Sequence, residues 1–403
     1  MDDPPLRRWA KSGAMALTGL PEMPLGPPEG LVEGVERLAR PFPGLDALAL
    51  LGERAALMGL WRRGPISCGG SCRLLPTAAA DAWIAVSLPR AEDFETVPAW
   101  LELDEVPATT PATWSAVARS VAMRDPSELV ERAVLLGLAV ARVGEAARTP
   151  AVTVVPLGPA PARDPTSGLL VVDLSSLWAG PLCGDLLARA GATVVKVEST
   201  GRPDGARRGP PAFFDLLNGR KRSVALDFRS EHDVLILREI VRRADVVIEA
   251  SRPRALAQLG VVADEIVRAG GPQVWVSITG HGRAGDGAGE APGGRAAFGD
   301  DAAAAGGLVV WHGSAPMFCA DAVADPLTGL AAAGACLEAL AGGGRWLLDV
   351  SMAGVCAGLW AGPTLAAPDD LGVEPPRARP IAGPAADLGA DTAEFLAELG
   401  LRR

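Results

Sequence analysis

The 403-residue sequence contains no tyrosine, only three histidines and three lysines, and no long apolar run. A membrane-spanning helix needs about 18 to 20 consecutive apolar residues. Residues 1–5 are acidic and rich in proline, which is unlike a signal or transit peptide. The formal net charge of −10 gives no electrostatic support for binding nucleic acid. These absences predict a cytoplasmic protein that binds neither membranes nor nucleic acid.

Cysteine is also sparse, with six residues scattered along the chain. Such spacing indicates reduced thiols rather than a disulfide framework. Cys68 and Cys72 form a CxxxC pair, but no second Cys/His pair lies nearby. We therefore interpret them as small loop or core residues and predict no metal site. The chain is 49% apolar and 21% charged, which is typical of a globular protein with more than one core.

The second half of the chain alternates short apolar strands with helices. Strands are predicted at 169–174, 193–198, 223–227, 245–249, 274–278 and 345–350, with helices at 182–190, 231–243 and 253–259. The first strand is apolar on both faces, as buried parallel strands are. This pattern predicts a doubly wound, Rossmann-like α/β sheet that binds ligands at the carboxyl ends of its strands.

The first half has a mixed pattern. Residues 47–61 are helix-like, 64–71 form a glycine-rich loop and 83–88 form a strand, and helices follow at 114–123 and 126–139. We divide the chain into residues 1–160, a small α+β domain with an N-terminal helical segment, and residues 161–403, a Rossmann-like domain with a C-terminal tail. Residues 145–167, rich in proline, alanine and threonine, are predicted to be a linker around a short strand at Ala151–Val155.

Three common enzyme signatures are missing. The turn after the first parallel strand, residues 175–181, has no GxGxxG, and the GxGxxG at 280–285 runs into glycines that cannot start a helix. A mobile lid loop explains that second stretch better than a dinucleotide site. Walker A and GxSxG sequences are absent, which argues against an NTPase or a serine hydrolase. Of the histidines, His281 alone is placed to face a ligand.

Asp325 precedes Pro326 at the start of an apolar helix that is predicted to run to about residue 340. The simplest interpretation is a helix N-cap with proline at the first helical position. The same position suits a nucleophile, because the helix end would keep the carboxylate ionised at neutral pH. Asp321 is a second carboxylate close by. Gly69 and Gly70 likewise form either a simple turn or a mobile loop whose N–H groups bind an oxyanion.

Several segments of the second half, in order, resemble the family III CoA-transferases. The most distinctive is Asn218-Gly-Arg-Lys-Arg-Ser-Val-Ala-Leu-Asp227. The others span residues 172–181, 190–198, 244–253, 276–282, 324–329 and 345–352. Each match is weak alone, but together they extend over roughly 190 residues in the family's order.

The resemblance implies a ping-pong exchange in which Asp325 attacks an acyl-CoA thioester and carries an anhydride and then a CoA thioester. Coenzyme A would be a substrate, with no tightly bound cofactor. Gly69 and Gly70 would close over the thioester. The implied coenzyme A contacts are Trp178, Ala179, Lys221, Arg222, Leu226, Asp227, Arg229, Ser251 and Arg252. Lys221 and Arg222 are equally suited to structural ion pairs.

The order of segments departs from the family. A segment like the family's small domain, which includes Gly69 and residues 82–87, comes before the large domain here, while residues 388–400 resemble the family's usual ending. The chain therefore has an apparently permuted order. The resemblance implies a homodimer that binds acyl-CoA and a carboxylic acid, and the altered order leaves its interlocking open.

Two alternatives remain. One is an α-methylacyl-CoA racemase, which would exchange a proton through a His/Asp pair. Its histidine would fall near Phe298-Gly-Asp-Asp301, where the sequence has none, although His281 would be a substitute. The other is a non-catalytic acyl-CoA-binding relative that retains the fold without the chemistry.

Overall fold

The computed structural model describes residues 3–104, 109–147, 150–164, 168–251, 253–283, 294–359, 362–368 and 370–402. The helices are α1 Pro5–Ser12, α2 Leu31–Leu38, α3 Ala47–Leu50, α4 Glu53–Met58, α5 Ala91–Leu101, α6 Thr110–Val121, α7 Pro126–Leu135, α8 Ala179–Arg189, α9 Pro211–Asn218, α10 Glu231–Arg243, α11 Pro253–Gln258, α12 Ala263–Arg268, α13 Gly299–Ala305, α14 Ala324–Gly342, α15 Met352–Leu359 and α16 Thr392–Glu398. The strands are β1 Cys72–Pro76, β2 Trp83–Ser87, β3 Ala139–Arg142, β4 Val152–Gly158, β5 Leu170–Asp173, β6 Thr193–Ser199, β7 Arg222–Leu226, β8 Val246–Glu249, β9 Val274–Thr279, β10 Val309–His312, β11 Ala315–Phe318 and β12 Arg345–Ser351.

The large sheet has seven strands in the order β4-β12-β9-β8-β5-β6-β7. The six strands from β12 to β7 pair in parallel, and β4 joins the edge antiparallel to β12. Strands β8 and β9 are buried along their whole length, which is why their sequences are apolar on both faces. The α/β fold class with a mostly parallel sheet is confirmed.

The chain direction across this sheet reverses between β5 and β8. From β5 the chain continues to β6 and β7 on one side, and it then returns to build β8, β9 and β12 on the other. Open α/β sheets bind ligands at such a switch point, in the crevice beyond the carboxyl ends of the two strands. Helix α8 begins in this crevice, directly after β5.

The small unit is an antiparallel sheet, β1-β2-β3, covered by α5, α6 and α7. Its core includes Ile84, Trp100 and Trp114. Strand β3 begins at Ala139, so the helix predicted over 126–139 ends earlier, at Leu135. The sequence pattern also missed β1 and α5. The α+β character of this unit is as predicted.

The N-terminal helices pack in the core of the large unit rather than with the small sheet. Trp9, Leu31 and Leu50 share one buried cluster with Leu182 of α8 and Leu330 of α14. Strand β4 is an edge strand of the large sheet. The division at residue 160 stays a prediction. On this packing we propose that the small unit is limited to the segment from β1 to β3.

Two buried ion pairs lie at β5 and β6, one at the carboxyl end of β5 and one between β6 and the loop that follows it. Lys221 Nζ lies 2.7 Å from Asp173 Oδ2 and donates to Pro181 O at 2.8 Å. Lys196 Nζ lies 2.9 Å from Asp204 Oδ2. All four ionic side chains are at most 2% exposed. Removal of one partner of such a pair leaves an uncompensated buried charge.

We therefore predict that Lys221→Met lowers the free energy of unfolding by about 3–5 kcal/mol, because Asp173 loses its direct counter-charge. Urea unfolding followed by circular dichroism measures this loss. Arg268→Ala is the control, since it breaks an exposed 3.7 Å pair with Asp264 and should change stability little. Equal, small effects of the two substitutions would contradict the assignment.

Candidate active site

Asp325 is the second residue of α14 and is half-buried. The N-cap of α14 is Val323, so the prediction that Asp325 caps this helix is wrong. The reason is that Val323 already has helical backbone angles and the Asp325 N–H donates to Ala322 O at 2.9 Å. The backbone N–H of Ala179 instead lies close enough to the Asp325 carboxylate to lower its pKa.

Ala179 is the first residue of α8, so the carboxylate lies at the positive end of that helix. Helices α8 and α14 approach closely because Gly329 faces α8. A Cβ at Gly329 would lie 2.9 Å from Ala179 O and 2.8 Å from Leu182 Cδ2. The absence of this side chain permits the contact between Ala179 and Asp325.

Helix α13 covers the opposite side of the Asp325 carboxylate. A Cβ at Gly299 would lie 2.2 Å from Asp325 Oδ2 and 2.4 Å from Ala322 O, distances that no side chain permits. The next residue, Asp300, is buried, and its Oδ1 accepts from the Ala322 N–H at 3.1 Å. The sequence reasoning passed over both residues, although they lie within the Phe298-Gly-Asp-Asp stretch that it examined for a histidine.

Burial raises the pKa of Asp325 to about 7, despite opposing interactions that favour the anion. Arg54 and the Ala179 N–H lower this pKa, and the negative charges of Asp300 and Asp321 raise it. The prediction that the start of its own helix keeps Asp325 ionised at neutral pH is wrong, because burial dominates and the N–H that favours the anion belongs to α8. Burial likewise raises the pKa of Asp300 to about 6.

Arg54, from α4, is the cation of the site. Its Nε and Nη2 donate to the two oxygens of Asp321 at 2.9 and 2.6 Å, and the Asp321 side chain is fully buried. The guanidinium also lies over the Trp178 ring, with Cζ 5.2 Å from the ring centroid. Sequence reasoning missed Arg54, because 267 residues separate it from Asp321.

The loop that contains Gly69 and Gly70 lies against the same group. A Cβ at exposed Gly69 would point to within 3.6 Å of Arg54 Nη2, and Cys68 Sγ lies 3.6 Å from Ala320 O. Gly70 has φ +81° and its N–H donates to Ser67 O at 2.8 Å, so that N–H is occupied. The structure therefore brings this loop beside the turn that leads to Asp325.

The predicted coenzyme A contacts follow the carboxyl ends of three strands. Trp178 and Ala179 follow β5, and Ser251 follows the adjacent β8. Leu226 is the buried last residue of β7, and Asp227 and Arg229 come directly after it. The Arg229 side chain is 82% exposed and pairs with Asp227 at 3.1 Å. Arg252 lies outside the described residues.

Trp178 is buried, and its indole N–H is available as a hydrogen-bond donor. Its ring packs edge-on against Phe213, with centroids 5.2 Å apart. The buried Nε1 has no hydrogen-bond partner among the residues that the structure describes. A buried donor of this kind is costly unless a ligand or water accepts from it.

Lys221 and Arg222 form ion pairs within the fold, which was the structural alternative to a role in binding coenzyme A. Lys221 is committed to Asp173, as described above. Arg222 Nη1 donates to Glu398 Oε2 of α16 at 2.6 Å and its guanidinium lies over Phe395. Both cations tie parts of the fold together.

Metal and membrane features can be assessed for the described residues only. Within these ranges, no group of three or more His, Cys, Asp or Glu side chains is arranged to hold a metal ion. The six cysteines are buried free thiols. In the same part of the chain, no helix combines the length and the apolar character needed to cross a membrane.

Comparison with known proteins gives the family. The profile described as CoA-transferase family III matches residues 166–383, more than half of the chain. The chain therefore belongs to CoA-transferase family III. This confirms the resemblance seen in the sequence.

Individual relatives match over shorter stretches. The chain is 33% identical over 133 residues to acetyl-CoA:oxalate CoA-transferase of Acetobacter aceti, covering 32% of this chain and 34% of that one. It is 34% identical over 136 residues to succinate–glutarate CoA-transferase of Agrobacterium fabrum, covering 30% and 34%. A solved CAIB/BAIF family protein from Brucella suis aligns with TM-score 0.43 and 33% identity, over 49% of this chain and 55% of that one. The chain thus spans about a third of the length of these curated relatives.

We predict that Asp325→Asn gains stability relative to the wild type as pH rises from about 4 to 7. The pKa of Asp325 in the folded protein lies above its ordinary value of 3.8, so the protonated carboxyl stabilises the fold and this stabilisation is lost as it ionises. Asparagine has no such loss, and the difference should grow by up to about 1.4 kcal/mol per pH unit.

Urea unfolding at pH 4 to 9 measures the difference. Asp81→Asn is the matched control, because Asp81 is an exposed carboxylate with φ +57°, a conformation that asparagine also adopts. Parallel curves for the wild type and Asp325→Asn would show that the pKa of Asp325 is not raised.

Proposed function

We propose that this protein transfers coenzyme A from an acyl-CoA thioester to a free carboxylic acid, with Asp325 as the nucleophile. The observation that carries the proposal is the position of the Asp325 carboxylate. It belongs to a half-buried residue, lies beside the N-terminal N–H of α8, and is located at the switch point of the parallel sheet. Membership of CoA-transferase family III and the named activities of its relatives support the same chemistry.

The chemistry would proceed in balanced steps. An Asp325 oxygen attacks the thioester carbonyl, the C–S bond breaks, and an aspartyl-acyl anhydride and CoA thiolate result. The thiolate then attacks the aspartyl carbonyl carbon, which forms an aspartyl-CoA thioester and releases the first acid. A second carboxylic acid reverses the two steps and leaves as its CoA thioester.

The surroundings of Asp325 suit this sequence. With a pKa of about 7, a substantial fraction of Asp325 is ionised at neutral pH and can attack. A carboxylate whose solvation is replaced by one N–H and a nearby guanidinium is more nucleophilic than one in water. Neutralisation on acylation then relieves the repulsion from Asp300 and Asp321.

The coenzyme A would lie across the strand ends. We propose contacts with Trp178, Ala179 and Ser251 near the thioester, and with Leu226, Asp227 and Arg229 further along the sheet. Arg229 is the exposed cation of this set, suited to a phosphate. Lys221 and Arg222 are left out, since their charges are paired within the fold. Gly69 and Gly70 would cover the thioester from the Arg54 side.

The racemase alternative is less well supported. The sequence has no histidine at residues 298–301, and Gly299, which faces Asp325, has no room for a side chain, so this activity would depend on His281 as the substitute. A non-catalytic role gives no reason for the Asp325 carboxylate, because burial of an ionisable group is costly. We further propose that the protein is a cytoplasmic homodimer, as the resemblance implies, and light scattering of the purified chain tests the dimer.

The direct test is intact-mass analysis after incubation with a panel of acyl-CoA thioesters. We expect a CoA-sized covalent adduct on the wild type and on the control Asp81→Asn, but none on Asp325→Asn, because an amide cannot form the anhydride. If acyl-CoA binds without an adduct, transfer by this route is wrong. Deuterium exchange at the α-carbon would then separate racemisation from binding alone.

We also predict that the single-turnover rate of adduct formation rises with pH and levels off above about 7. Only the ionised carboxylate attacks, and burial sets its pKa near that value. The charged groups that face Asp325 are Arg54, Asp300 and Asp321. Quenched-flow experiments from pH 5 to 9 give the profile. A rate that is already constant from pH 5 upward would contradict the raised pKa, because a carboxyl with the ordinary pKa of 3.8 is ionised throughout this range.

A further inference from the structure

The turn that leads into α14 has an unusual backbone. Ala320 has φ +58° and Ala322 has φ +43°, and both residues are buried. Alanine rarely adopts this left-handed conformation, because its Cβ approaches its own backbone. Residues held in this way persist only where the surroundings impose the conformation, and they cluster at functional sites.

Three side chains impose it here. Thr18 Oγ1 accepts from the Ala320 N–H at 3.0 Å, and the Thr18 hydroxyl is itself oriented by donating to Ala14 O at 2.8 Å. Asp300 Oδ1 accepts from the Ala322 N–H at 3.1 Å. Between these two alanines, Asp321 is held at both oxygens by Arg54. Each residue from 320 to 322 therefore has its own partner.

The turn is connected to the carboxylate by one further hydrogen bond. The Ala322 carbonyl accepts from the Asp325 N–H at 2.9 Å, so the conformation of Ala322 fixes where α14 starts. A change in that start would move the Asp325 carboxylate away from the Ala179 N–H. Thr18 and Arg54 lie outside the family match at residues 166–383. The N-terminal segment thus holds a turn that belongs to the other half of the chain.

We propose that Thr18, Arg54 and Asp300 are positioning residues that lock the turn at residues 320–322 and thereby aim Asp325 at its substrate. The inference rests on the proposed function only for its effect on catalysis. The contacts that hold the turn at residues 320–322 do not depend on any substrate or reaction. None of the three touches the reacting atoms in this account. Arg54 and Asp300 also shift the pKa of Asp325 through their charges, and all three hold the backbone or side chain of the turn.

The first test is amide hydrogen exchange of the peptide over residues 318–325. Thr18→Val leaves the Ala320 N–H without its acceptor, and we expect that amide to exchange about tenfold faster or more. Thr18→Ser retains the hydroxyl and should exchange as the wild type does. Amides of β8 and β9 are the internal control, because a general loss of stability would accelerate them as well.

A second comparison uses the backbone itself. Glycine adopts positive φ without strain, so Ala320→Gly should reduce the effect of Thr18→Val on exchange of the turn. If Thr18→Val does not fold, Arg54→Lys replaces it, since lysine keeps the charge and loses the two-point contact. Unchanged exchange of the turn in the folded variant would overturn the proposal.

The catalytic effect is measured by adduct formation with acyl-CoA. We expect Thr18→Val and Arg54→Lys to slow the single-turnover rate about tenfold or more, with the half-saturating acyl-CoA concentration changed less than about threefold. A wild type that forms no adduct would refute the proposed function. The hydrogen-exchange data would still show whether Thr18 and Arg54 hold the turn. Faster turn exchange with an unchanged adduct rate would overturn the positioning role.

Discussion

The approach of the Ala179 N–H to the Asp325 carboxylate, which lowers the pKa of Asp325, is the interaction on which the site depends. It joins the start of α8, at the switch point of the sheet, to the start of α14. Two glycines allow the contact, since Gly329 lets the helices approach and Gly299 leaves room for the carboxylate. Burial still dominates and raises the pKa of Asp325 to about 7. At neutral pH the Asp325 carboxyl is therefore only partly ionised. Partial ionisation suits a group that must form and lose acyl bonds.

Much of the support for Asp325 comes from the first 70 residues of the chain. Thr18, Arg54 and Cys68 all contact residues 320–321, although the family match begins only at residue 166. In a folded chain, proximity depends on packing and not on sequence order, so residues far apart in the sequence can support one site. The packing of Trp9 and Leu31 against α8 and α14 holds this segment in place.

Local pattern was enough to predict much of the large unit. The helix at 231–243 was placed at its observed ends, and the strands of the parallel sheet were placed within one or two residues. Asp325 was identified from its motif, and its place beside Ala179 agrees with a site, though its role stays a prediction. Strand β3 was missed because a short apolar run after a helix has no distinct period. Arg54 and Asp300 were missed because their importance comes from contacts between residues that are far apart in the sequence. The raised pKa of Asp325 was not predicted because the burial of a residue cannot be deduced from its sequence neighbours.

The central claim is that a covalent CoA ester forms on one particular carboxylate. The measurement that tests it most directly is borohydride treatment of the protein during turnover, followed by peptide sequencing by tandem mass spectrometry. Reduction converts an aspartyl thioester to a homoserine side chain and so records its position in the chain. The account predicts reduction at Asp325 alone. Reduction at Asp300 or Asp321, or at no residue while transfer proceeds, would contradict it.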